Sequence, residues 1–305
     1  MFYLALAIIC SSSIALIFKY TEGNEMNRYA VTSSNYFIAF LVSILMFFNN
    51  NTMKLSTKSS LHSFTKEFYS VISSNELLFS PEGSFIWAVL VGVIAGLFFF
   101  LSFIYYQKSV RENGVGLSGT FGKLGILIPM IFSILLWREM PTALQWCGIA
   151  LSLVSILIVN LSLKDLSLKS FNTTLILLFI FGGMAEFSNK IFQKYAVTEL
   201  KDLFLFFVFF VAFIISICFT FKQKKRVNIK DIILGIVVGI PNLFSSYFLI
   251  LALSHITTSV AFPIYSAGSI LLINLGGFII FKEKLSLKDT FAVALTLIAL
   301  VLINM

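Results

Sequence analysis

Residues 135–161 read LLWREMPTALQWCGIALSLVSILIVNL, and residues 279–305 read IIFKEKLSLKDTFAVALTLIALVLINM. Laid over one another without a gap, at an offset of 144, they superimpose Arg138 on Lys282, Glu139 on Glu283, Ala150 on Ala294, Leu153 on Leu297 and Asn160 on Asn304. Self-similarity of this kind marks a duplicated unit, and a duplication should extend outward from here. One residue less brings Gly92 onto Gly235, Gly96 onto Gly239 and Ser102 onto Ser245. An offset near 171 places the first two apolar runs on the sixth and seventh, and Lys19 on Lys190. The offset changes by about 27 residues because the polar stretch 50–83 is longer than its counterpart at 222–230.

The composition says what the duplicated unit is made of. The chain has 305 residues, 58% of them hydrophobic and 12% charged, with a mean hydropathy of +0.96. A soluble domain of this size has about a quarter charged residues, so there is too little polar surface to cover a fold in water. The apolar residues come in runs of membrane-spanning length. Hydrocarbon offers the backbone no hydrogen-bond partners, which leaves helices or a closed barrel. The runs are twice the length of barrel strands and do not alternate, so they are helices. The expected spans are 2–20, 31–49, 84–107, 114–137, 141–161, 173–194, 202–221, 231–253, 258–281 and 286–304. The expected fold class is therefore an all-α membrane protein of about ten transmembrane helices, with units at 1–160 (carrying the insertion 50–83) and 173–305. Five is an odd number, so the second unit lies upside down relative to the first. Inverted repeats of this kind build many secondary transporters, with the substrate site near the midplane.

Other classes fall away. The net charge of +8 does not indicate nucleic acid, because the basic residues lie between spans, where Lys and Arg meet lipid headgroups. Cys10, Cys147 and Cys218 sit inside apolar runs without metal-ligand spacing and are expected to be buried packing residues. The amino terminus resembles a signal peptide but lacks a basic leading region, and is read as a retained first helix. Within 50–83 the piece LHSFTKEFYSVI is either an interfacial helix or a solvated loop. There is no phosphate loop, nucleotide fingerprint or catalytic triad, and the two histidines, His62 and His255, fall in or beside loops. No cofactor, metal or enzymatic activity is expected.

With these features in place, the sequence resembles the drug/metabolite transporter superfamily, EamA type, whose members carry two five-helix repeats. The acidic residues after the fourth and ninth helices carry the resemblance: Glu139 in WREMPTALQWCGIAL and Glu283 in FKEKLSLKDTFAVAL. The glycine often found early in the last helix of the family is Ala292 here. The resemblance implies a multi-pass protein of the cell (inner) membrane with both termini in the cytoplasm. Charge implies the opposite: loops after odd-numbered spans hold 14 Lys and Arg against 6 after even-numbered ones, which puts the termini outside. Orientation stays open.

Lys123 is the most informative residue, because a charge at mid-span costs about 2.5–3.5 kcal/mol on insertion scales. It either faces a cavity and attracts a substrate carboxylate or phosphate, or pairs with Glu186 structurally, or snorkels. Its repeat mate is Ala267, and around it Gly116, Gly119, Gly122 and Gly125 form a stripe that permits close approach of a helix or a ligand. Glu186 and Lys190 are spaced for an ion pair; Glu186 either carries a proton or satisfies Lys190 or Lys123. Pro129, Pro241 and Pro263 interrupt spans. Asn242, Tyr247, Tyr265 and Asn274 are polar tips in apolar spans and the remaining substrate-binding candidates. Glu139 and Glu283 are read as acids favouring the amino-terminal ends of the fifth and tenth helices. The function expected is alternating-access transport of a small polar metabolite, an amino acid or organic anion. A membrane-embedded enzyme or a non-transporting subunit are the alternatives. The expected partners are the substrate, the bilayer and a second copy of the chain.

Overall fold

A computed structural model describes residues 1–22, 26–49, 61–74, 77–160, 173–222, 226–282 and 287–304. Glu283, the stretch 50–60 and the side chain of Lys19, all named above, lie outside that description. The described residues form helices and no strand: α1 Phe2–Glu22, α2 Arg28–Asn49, α3 Leu61–Ser73, α4 Pro81–Leu124, α5 Leu127–Trp137, α6 Ala143–Asn160, α7 Thr173–Tyr195, α8 Lys201–Lys222, α9 Ile229–Leu253, α10 Thr258–Phe281 and α11 Leu287–Asn304. Six stretches are helical, long and apolar enough to cross a membrane: Arg28–Asn49, Pro81–Tyr106, Thr173–Tyr195, Thr198–Lys222, Ile229–Leu253 and Thr258–Ile280. Phe2–Ile17, Phe121–Trp137, Ala143–Ile158 and Thr290–Ile303 are shorter apolar helices.

The loop expected at 108–113 is a reversal inside helical backbone. Assignment as helix continues from Pro81 to Leu124, yet the hydroxyls of Ser109 and Ser118 are 2.7 Å apart. Nine residues of straight helix would separate them by about 13.5 Å. Gly122 likewise faces the ring of Tyr106, so the second leg of α4 runs back along the first. The buried Ser109–Ser118 hydrogen bond and the Lys108–Glu112 ion pair, 3.8 Å, supply polar partners at the bend. The next break falls at Gly125–Ile126. Pro129 has no N–H for the Gly125 carbonyl four residues back, and the Ile128 N–H takes that oxygen instead at 3.0 Å.

The helices gather into two compact units, each using segments from both ends of the sequence. One holds residues 1–12, 101–187 and 256–305; the other holds 13–100 and 188–255. In the first, α6 packs along α11, and α10 packs on α5, α6 and α11. A Cβ on Gly148 would lie 2.9 Å from the Ala299 carbonyl oxygen, and the Ser155 hydroxyl donates to the Ala292 carbonyl at 2.8 Å and meets Thr296 Oγ1 at 2.6 Å. Contacts 148 with 299 and 155 with 292 make the crossing antiparallel. They also exchange under the offset of 144, which carries Gly148 to Ala292 and Ser155 to Ala299.

In the second unit, α2 packs on both α8 and α9. Gly235 and Gly239 on α9 let the backbone of α2 come close: a Cβ on either would lie 2.5 Å from the carbonyl oxygen of Val31 or Asn35. Gly92 and Gly96 on α4 do the same against α8, at 2.9 Å from the Phe204 and 2.6 Å from the Val208 carbonyl oxygen. Such glycines replace side-chain bulk with backbone contact, the usual solution where lipid gives no hydrophobic driving force. Asp231, 1% exposed, closes a capping box with Asn228 at the start of α9 and accepts from the Asn27 N–H at 3.2 Å, fastening the beginning of α2 to it. Phenylalanines fill the α2–α8 contact, Phe40 against Phe206, Phe210 and Phe213.

The surface is the reverse of a soluble protein's. Leu135, Ile279 and Ile229 are about 70% exposed, while Ser84, Ser109, Ser133, Asn189 and Ser266 are fully buried. Cys147 and Cys218 follow the same rule: they are exposed on apolar faces, not buried as expected, and Cys10 is half-buried. A thiol is apolar enough to face lipid, and all three are free. Of the two readings for LHSFTKEFYSVI, the helix holds. It is α3, with Phe64 and Val71 buried and Tyr69 exposed. Phe64 and Phe68 lie against Phe79, and Phe68 also against Trp87.

Candidate functional site

Lys123 closes the second leg of α4, two residues ahead of the break at Gly125. Glycine determines what stands opposite. Gly125 and Gly183 on α7 meet backbone to backbone, so that a Cβ on Gly125 would lie 3.0 Å from the Gly183 nitrogen and 3.2 Å from the Phe179 carbonyl. Gly182, beside it, faces Ser102 Oγ. Glu186 follows Gly183 by nearly one helical turn, and its charge acts on Lys123. Lys123 is half-buried, and among the described residues it has no hydrogen-bond acceptor. The ammonium keeps three donors in a setting with one nearby negative charge. That arrangement can receive an anionic group without first breaking a tight ion pair.

Helix α10, in the same unit, carries the two candidates Tyr265 and Asn274. Tyr265 is 7% exposed, and its carbonyl accepts the Ser269 hydroxyl at 2.6 Å. Asn274 is half-buried, and its amide nitrogen has no partner among the described residues. The hydroxyls of Thr258, Ser259 and Ser266 on this helix are also buried without a partner among the described residues. Pro263 lies within α10 and lacks the N–H that would reach the Ser259 carbonyl. The helix therefore holds several unmet polar groups, which sequence reading located only at Asn274.

The other candidates lie in the second unit. Lys190 is 4% exposed and donates to Gln193 Oε1 at 3.1 Å. Asn242 donates from Nδ2 to Asn35 Oδ1 at 3.0 Å, so it joins α9 to α2. Tyr247 lies under an ammonium that sequence reading treated as an ordinary loop lysine: Lys201 Nζ is 4.7 Å from the ring centroid. Lys201 starts α8 after a single 3-10 turn, Thr198–Leu200, and is 9% exposed. A lysine just ahead of an apolar run reads as a headgroup anchor, so nothing in the sequence distinguishes this one.

Glu139 has a different place from the one expected. Helix α6 starts at Ala143, too far along for Glu139 to serve its first turn. The carboxylate instead accepts the Thr258 N–H at 2.6 Å, at the amino-terminal end of α10. Its role is structural, as expected, but the dipole it answers belongs to another helix.

Residues 173–305 match the model of the EamA-like transporter family, within the drug/metabolite transporter superfamily. The match covers the carboxy-terminal stretch of the chain, 133 of its 305 residues. The chain is an integral multi-pass membrane protein by its apolar helices. The EamA-like stretch holds Glu186, Lys190, Lys201, Asn242, Tyr247, Tyr265 and Asn274, whereas Lys123 precedes it. No curated protein matches the chain by sequence. In fold it is similar to a protein solved by crystallography, with a TM-score of 0.71 and 15% identity over 100% of this chain and 97% of that one.

Proposed function

We propose that this protein, EamA-like over residues 173–305, is a secondary active transporter of small polar metabolites, amino acids or organic anions, working by alternating access in the cell (inner) membrane. In this reading ten apolar helices cross the bilayer as two inverted five-helix repeats, 1–160 and 173–305. The reversal within α4 separates the third and fourth crossings. Support for the repeat comes from contacts that exchange under the sequence offset: 148 with 299 against 292 with 155. The chain carries no recognisable nucleotide-binding motif, so an ion or substrate gradient drives it. A second copy of the chain is the proposed protein partner.

The observation that carries the substrate class is Lys123, a half-buried ammonium without an acceptor among the described residues, under the influence of Glu186. A charge in that position is retained at a cost that a purely packing role does not explain. Purified protein in sealed liposomes, given mixed labelled amino acids and organic acids, tests the reading. Gradient-dependent uptake or exchange without ATP supports it, and an inert vesicle across the whole mixture contradicts it.

A further inference from the structure

Lys201 is buried at the start of α8, where the positive end of the helix dipole disfavours a cation. Its ammonium is 4.7 Å above the Tyr247 ring, a contact that strengthens when desolvated. It makes no hydrogen bond to a described residue, and neither does the Tyr247 hydroxyl. Among the described residues, three ammonium donors and a phenol hydroxyl are thus unmet around one ring. Asp202 is the adjacent acid and is 1% exposed, but successive residues on a helix diverge by about 100° and do not face each other. Other buried lysine chemistry in this unit is already answered, since Lys190 donates to Gln193. A ring face satisfies the charge of an ammonium but none of its hydrogen-bonding directions, so the pair stays competent to take an oxyanion.

We propose that Lys201 and Tyr247 form a carboxylate-binding point in the second unit, separate from Lys123. The ring holds the ammonium from one side and leaves its N–H groups for one carboxylate oxygen, while the Tyr247 hydroxyl donates to the other. The proposal concerns binding, so it does not require transport to be observed.

The test uses the full chain in lipid nanodiscs and follows its melting temperature at matched ionic strength. Sodium acetate, succinate and phosphate are each compared with sodium chloride. Lys201→Met and Tyr247→Phe are run beside the unsubstituted protein. The expected result is a rise with acetate or succinate, at least ten-fold weaker in half-saturation for Lys201→Met and weakened for Tyr247→Phe. Lys201→Arg, which preserves charge and stacking, retains the response. If Lys201→Met does not fold, the test rests on Tyr247→Phe, which keeps the ring. An unchanged response in Tyr247→Phe then overturns the proposal. A response equal in Lys201→Met, confined to phosphate, or absent from the unsubstituted protein also overturns it. A carboxylate response in a protein that moves nothing across a membrane would refute the transport reading and leave this one standing.

Discussion

Arg138 and Lys282 share a left-handed backbone conformation, φ 54° and 53°, and each ends a helix: α5 for Arg138, α10 for Lys282. They are the non-glycine residues with positive φ among those described. They are also the pair that the offset of 144 superimposes. A left-handed residue at a helix end is normally glycine, since a side chain there costs about 1–2 kcal/mol. A basic residue offsets part of this by answering the negative end of the helix dipole.

The backbone term can be measured. Arg138→Gly and Lys282→Gly are each expected to leave stability unchanged or raise it by about 1 kcal/mol, whereas the β-branched Arg138→Val and Lys282→Val lower it. Thermal unfolding in detergent micelles checks this. A loss on glycine substitution as large as the loss on valine would show that the side chains, not the turn, fix these positions.

Close packing of glycine against backbone predicts a graded response. A Cβ at Gly96 or Gly239 meets a carbonyl oxygen at 2.6 or 2.5 Å, whereas at Gly122 its nearest contact is 3.8 Å away. Gly96→Ala and Gly239→Ala should each destabilise by about 1–3 kcal/mol, and Gly122→Ala should be tolerated. Yield of monodisperse protein and its melting temperature give the readout. Equal tolerance at all three positions would mean the helices sit further apart.

Glu139 gives a third expectation. Its carboxylate accepts the Thr258 N–H at 2.6 Å, so Glu139→Ala should cost about 1–2 kcal/mol, the range for losing a cap. Glu139→Gln keeps an acceptor but loses the charge and should cost about half as much. Unfolding curves of the two variants separate the hydrogen bond from the dipole term. An unaffected Glu139→Ala would show that the contact contributes nothing.

Much of this was legible in the chain because lipid simplifies the code. Long apolar runs must be helices, and the match of Arg138-Glu139 to Lys282-Glu283 is what the proposed duplication was read from. Polar contacts were less legible, because they depend on which helix lies opposite. Nothing in 135–161 says that Glu139 answers α10 instead of α6, or that Cys147 faces outward. The Ser109–Ser118 reversal hid inside residues that keep helical geometry, and Lys201 looked like any lysine at a span's edge until Tyr247 was placed beneath it. Lys123 was visible because a charge in the middle of an apolar run is costly wherever its neighbours lie.

The central claim is that Lys123 receives an anionic group during transport, and the most direct measurement is exchange flux in proteoliposomes for the unsubstituted protein, Lys123→Met and Lys123→Arg. All three are reconstituted at equal density and given the amino acid or organic anion that the unsubstituted chain moves. Removing a charge from the span favours insertion by about 2.5–3.5 kcal/mol, so Lys123→Met should reach the membrane at least as well. Its flux should fall ten-fold or more, with Lys123→Arg in between. Full flux through Lys123→Met would contradict the account, leaving the fold but removing the site.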